Sequence, residues 1–163
     1  MTGFVNAAIC AKCGGQCCKQ LPGACHPSDF GVPGADGEQR LRAALASGKY
    51  AIDWWEGDVR GYLYGHPEYR DRCFFVRPAC KRHEGELFEN AWTGMCTFYD
   101  VTKGCALKLE ERPTECRMLE PGDHDQGQVC RGHSGGKEQS VREWLTFTEI
   151  LDAISEEDCK RRC

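Results

Sequence analysis

The 163-residue chain carries 21 basic and 25 acidic residues, a net charge of −4, so its charge balance points to neither a nucleic-acid surface nor a membrane-binding face. Val, Ile, Leu and Phe supply only 28 residues, a thin core for this length, whereas the cysteines number 13. Metal–thiolate bonds supply folding free energy that so small an apolar core cannot.

One domain over 1–163 is expected at this length. The stretch Met1 to Ile9 has no basic start and too short an apolar run for a signal peptide, and no segment approaches about 18 apolar residues. The expectation is therefore a cytoplasmic protein. In that compartment thiols stay reduced, and dense cysteine means metal more often than disulfide. An odd cysteine total also fits a fully paired disulfide framework poorly.

The densest run is Cys10-Ala-Lys-Cys13-Gly-Gly-Gln-Cys17-Cys18. A Cys-x-x-Cys step can turn two sulfurs towards one ion, and Gly14 and Gly15 permit the positive φ such a turn needs. The adjacent pair Cys17-Cys18, read as extended backbone, points to opposite sides and is shared between two centres more easily than placed on one. Cys25-His26 follows after a Pro22-Gly23 turn signal and lies close enough to extend the site. Asp29 or Ser28 suits the cap of a short turn.

A helix is predicted over 36–47, with Leu41, Ala44 and Leu45 as its apolar stripe and Gly48 at its stop. Tyr50 to Trp55 is rich in β-formers and reads as a strand. The connection carrying Tyr62, Tyr64 and Tyr69 reads as irregular and packed by its aromatics. Cys73 to Cys80 reads as a strand into a turn, with Cys73, Cys80 and His83 as either ligands or a strand with one buried thiol.

Cys96 and Cys105 flank a turn near 100–104, so a hairpin bringing them face to face is expected. Pro113 suits the first turn of a helix carrying Cys116 and Arg117. Several thiolates around one ion leave negative charge, which Arg112 and Arg117 are placed to offset by donating to sulfur. Cys130-x-x-His133 has ligand spacing. Ser140-x-x-Glu143 matches a capping box, with Val141, Trp144, Leu145, Thr148 and Leu151 on one face. Ser155 to Asp158 reads as the start of a further turn, placing Cys159 and Cys163 at i,i+4.

Taken in order, Cys10-x2-Cys13-x3-Cys17-Cys18, Gly94-x-Cys96-x8-Cys105 and Arg112-Pro113-x2-Cys116-Arg117 resemble the YkgJ-like cysteine-cluster family of zinc- or iron-chelating proteins. The resemblance implies a small cytoplasmic metal or iron–sulfur protein. A related cysteine-rich motif also occurs with flagellin lysine methylases, but no fold for a methyl donor is visible here. Cys25, Cys73, Cys80, Cys130, Cys159 and Cys163 stand outside the pattern.

The sequence thus predicts a small, loop-rich α+β domain, with a few helices and short strands, stapled by cysteine-ligated metal. The expected ligands are Cys10, Cys13, Cys17, Cys18, Cys96, Cys105 and Cys116, with Arg112 and Arg117 beside the bound group. The first reading of that group is an iron–sulfur cluster, such as 4Fe–4S, for redox or electron-transfer work. The alternative is a structural zinc module that acts through contact with a protein partner. No phosphate loop, His-Glu-x-x-His helix or serine elbow is present, and no reaction is assigned.

Overall fold

The computed structural model describes residues 7–56, 72–126, 130 and 136–163. Within them, strands β1 (Tyr50–Glu56) and β2 (Arg72–Pro78) pair antiparallel, with Tyr50 opposite Pro78, Ile52 opposite Val76 and Trp54 opposite Phe74. Both lie where aromatic and β-branched residues predict strands. The aromatic connection of Tyr62 to Tyr69 lies outside the described residues, as does His133.

Two short helices open the chain, α1 (Ala7–Cys13) and α2 (Gln16–Gln20), divided by Gly14 and Gly15 at φ of 63° and 68°. Cys17 and Cys18 are therefore helical rather than extended. A 3-10 turn (Pro27–Phe30) leads into α3 (Gly37–Ala46), which buries Leu41 and Leu45 against the sheet as its apolar stripe requires. After β2 comes an irregular region with a one-turn helix, α4 (Thr114–Arg117), then α5 (Gly136–Leu145) and α6 (Thr148–Arg162). No helix among the described residues is long and apolar enough to cross a membrane.

The main core joins α3, the two strands, α5 and α6 through Ile52, Phe75, Val76, Val141, Trp144 and Leu151, all fully buried. The Trp144 indole N–H donates to the Cys25 carbonyl at 2.8 Å, which pins α5 to the segment after the first cysteine run. Each buried polar group of this kind needs such a partner. The result is a small α+β domain.

Three local expectations are corrected. Ser140 does not cap a helix: α5 starts at Gly136, and Ser140 sits inside it, fully buried. Nothing between 136 and 145 interrupts the helix, so the capping-box pattern falls within it; the chain bends at Thr146 and Phe147 instead. Ser155 starts no new turn, because α6 runs through it to Arg162. Between 96 and 105 there is no strand pair. Asp100 accepts from the Thr102 and Lys103 backbone N–H groups at 2.8 Å each, and this side-chain bonding replaces a ladder with turns.

Candidate metal centre

Backbone contacts draw distant thiols together. The Cys96 N–H donates to the Cys18 carbonyl and the Gly94 N–H to the Gln20 carbonyl, both at 2.7 Å, so the segment before Cys96 lies along α2. On the other side Gly104 meets the α1–α2 junction: a Cβ on Gly104 would stand 2.5 Å from the Cys10 carbonyl oxygen. Gly23 approaches α4 just as closely, since a Cβ there would stand 2.5 Å from the Cys116 sulfur. A third tie comes from Asp29. It accepts from the Thr114 N–H at 2.8 Å and the Thr114 hydroxyl at 2.7 Å, which anchors α4 to the 3-10 turn.

These ties enclose a cavity of about 280 Å³, far larger than the roughly 10–15 Å³ that one water needs. Cys10, Cys17 and Cys18 line it from the N-terminal helices. Cys96, Cys105 and Cys116 line it from the irregular region, and Cys130 joins them. All thirteen cysteines are free thiols.

Six of the seven expected ligands thus share one cavity. The seventh, Cys13, does not line it; its sulfur turns back towards the Cys10 carbonyl at 3.5 Å. Arg112, 4% exposed, donates from Nη1 to the Cys10 sulfur at 2.9 Å and from Nε to the Leu107 carbonyl at 3.2 Å. Arg117 is placed differently. Its guanidinium pairs with Asp29 at 2.6 Å and also reaches the Thr114 hydroxyl, so it holds α4 rather than a sulfur.

The thiols differ sharply in acidity. Contact with the Cys105 and Cys17 sulfurs, together with burial, raises Cys18 far above the ordinary thiol value. The same contact draws Cys105 down to about 6, helped by the Leu107 backbone N–H and by Arg112. It likewise draws Cys17 down to about 7. The Cys17 and Cys18 sulfurs lie 4.0 Å apart. Burial pushes Cys96 up to about 12, against the pull of the Phe98 backbone N–H, and pushes Cys116 up against that of the Gly23 N–H. Backbone N–H groups aimed at sulfur favour thiolate, the form that binds metal.

Among the described residues, no three His, Cys, Asp or Glu side chains are arranged to hold a single ion. The thiols surround the cavity instead of meeting at one point.

The remaining cysteines lie elsewhere. Cys25 and Cys73 pack in the main core as small apolar groups. Cys80 pairs across an isolated bridge with Cys96, beside Arg77 and Glu89. His83 is exposed and meets Glu86 at 3.1 Å, while His26 meets Glu143 at 2.8 Å. Cys159 and Cys163 are exposed at the end of α6. The sequence signal that finds Cys130 is its spacing to His133; nothing in the sequence ties it to Cys10.

No family model, curated protein or solved structure matches the chain.

Proposed function

We propose that this protein holds a thiolate-ligated metal centre in the cysteine-lined cavity, with an iron–sulfur cluster as the first reading. The carrying observation is that seven free thiols, from segments as far apart as Cys10 and Cys130, line one cavity. Buried thiols packed only as hydrophobes would lie in the apolar core, as Cys25 and Cys73 do. These seven instead line one cavity, where the Arg112 guanidinium donates to the Cys10 sulfur and backbone N–H groups pull Cys96, Cys105 and Cys116 towards thiolate against the opposing effect of burial. The ordered cysteine pattern supports the same reading.

Thiols spread around a volume suit a multi-atom cluster better than one ion. Such a group would supply one-electron exchange for electron transfer or redox sensing, in the reducing cytoplasm where its thiols stay available. Arg112 would offset the charge of the Cys10 thiolate and donate to its sulfur. The Phe98 and Leu107 N–H groups would do the same for Cys96 and Cys105, and such donors tune a cluster's potential.

One observation favours zinc. The 4.0 Å between the Cys17 and Cys18 sulfurs is near the ~3.8 Å edge of a tetrahedron with Zn–S bonds of ~2.3 Å. A zinc protein of this kind would act through a protein contact.

Anaerobic purification with iron, zinc and acid-labile sulfide analysis separates the readings. Iron with sulfide and broad visible absorption is the expected result. A colourless protein holding one or two zinc ions overturns the cluster reading, and a metal-free, cooperatively folded protein overturns both.

A further inference from the structure

Six cysteines stand outside the ordered pattern, and the fold treats them very differently. Cys25 and Cys73 belong to the main core; the Cys25 N–H donates to the Val76 carbonyl at 2.8 Å, and its carbonyl takes the Trp144 indole. Cys80 lies behind the cavity wall, its sulfur against Gly94 and 3.6 Å from Arg77 Nη1. Cys159 and Cys163 are exposed on α6.

Cys130 alone of the six lines the cavity. It packs with Cys10 in a small cluster of its own, separate from the main core and flanked by Ile9 and Leu119. Burial raises its thiol, and the Gly122 backbone N–H, bonded to its sulfur, pulls the other way. That donor repeats what the Phe98, Leu107 and Gly23 N–H groups provide at Cys96, Cys105 and Cys116. A thiol packed simply as a small hydrophobe has no need of such a donor, whereas a thiolate ligand is stabilised by one.

We infer that Cys130 is a ligand of the metal centre, closing its Cys10 end, and that Cys13 is not among the ligands. The inference rests on the metal-centre reading and gives that centre its seventh thiolate. With Cys130 ligated, the metal also closes the chain between Cys116 and Cys130, a loop beyond those that the other thiols close.

The test uses the full chain, reduced and metal-free, titrated with cadmium ion and followed by thiolate-to-metal charge-transfer absorption. Cys130→Ser should weaken cadmium binding at least ~10-fold and lower the absorption per bound ion, while Cys13→Ser should leave both as in the wild type. Alkylation of the wild type guards against a variant that fails to fold. Run until Cys130 reacts fully without metal, it should leave Cys130 unmodified when cadmium is bound. Equal alkylation of Cys130 with and without cadmium overturns the inference, as does a folded Cys130→Ser protein that binds like the wild type, while the metal-centre reading stands. Absence of cadmium binding by the wild type overturns both.

Discussion

Gly15 and Gly104 lie back to back: a Cβ on Gly15 would stand 2.5 Å from the Gly104 carbonyl oxygen, and one on Gly104 would stand 2.9 Å from the Gly15 nitrogen. Both residues also have positive φ, 68° and 77°. Each position therefore excludes a side chain twice, by conformation and by contact, and the contact sets Cys17 and Cys18 against Cys105. Gly15→Ala or Gly104→Ala should cost about 1–3 kcal/mol from backbone strain alone, with the steric clash adding to it. Denaturant midpoints measure the cost, and metal content should fall in the same variants. Wild-type stability in both would mean that the junction yields without strain.

The sheet carries a buried ionic cluster. Arg77, fully buried, donates from Nε to Asp53 at 2.7 Å and from Nη1 to Glu89 at 3.3 Å, and Glu89 also takes the Cys80 N–H at 3.0 Å. Replacing Arg77 by Met leaves the buried Asp53 and Glu89 carboxylates without their cation. The expected loss is about 3–5 kcal/mol, read from urea unfolding. A loss below about 1 kcal/mol would mean that the carboxylates are rescued by protonation or water.

Acidity in the metal-free cavity should depend on one thiol. Cys18→Ala removes the hydrogen bond that lowers both Cys17 and Cys105, so both should titrate closer to the ordinary thiol value of 9.0. The pH dependence of alkylation at each cysteine reads this directly. For the unsubstituted protein the sign is clear. Thiols lowered in the folded state stabilise it above the ordinary thiol value, and that contribution is lost as pH falls through about 7 for Cys17 and about 6 for Cys105. Cys96, raised to about 12, acts oppositely: it favours the fold at low pH and loses its contribution as pH climbs from 9.0 through 12. Metal-free stability should therefore peak between these limits, and a stability profile rising steadily past 9.0 would sink this account.

Trp144 joins the apolar core to the segment carrying the first thiols. Trp144→Phe keeps most of the buried ring but strands the Cys25 carbonyl, at an expected cost of about 1–3 kcal/mol. Thermal unfolding of the metal-free protein should show it. An unchanged midpoint would mean that the carbonyl finds another donor.

The scaffold was more legible than the site. Leu41 and Leu45 sit at helical spacing and Tyr50 to Trp55 is dense in β-formers, so local pattern alone places α3 and β1. The convergence of Cys10, Cys17, Cys18, Cys96, Cys105 and Cys116 on one cavity follows their order in the chain, but their angles do not. Two consecutive left-handed glycines turn Cys17 and Cys18 into a helix, a choice made by backbone geometry rather than by the cysteines themselves. Arg117 shows the limit from another side. In sequence it adjoins Cys116, nearer than Arg112 four residues before it, yet Asp29, 88 residues away, captures its guanidinium. Long-range partners of that kind leave no mark on local spacing, and the same holds for Cys130 beside Cys10.

The tie between Cys96 and Cys18 has a further consequence for how the protein is made. Ribosomes add roughly 5–20 residues per second, so the thiols of the Cys10 to Cys18 run emerge ~4–16 s before Cys96. During that interval four reduced sulfurs stand close together with no cavity around them, open to oxidants and to whatever metal ion arrives first. The Cys96 N–H that later meets the Cys18 carbonyl ends that exposure by covering α2. For the proposed metal centre, the order of synthesis would therefore make the nascent chain, rather than the finished fold, the stage most open to a wrong metal or a premature disulfide.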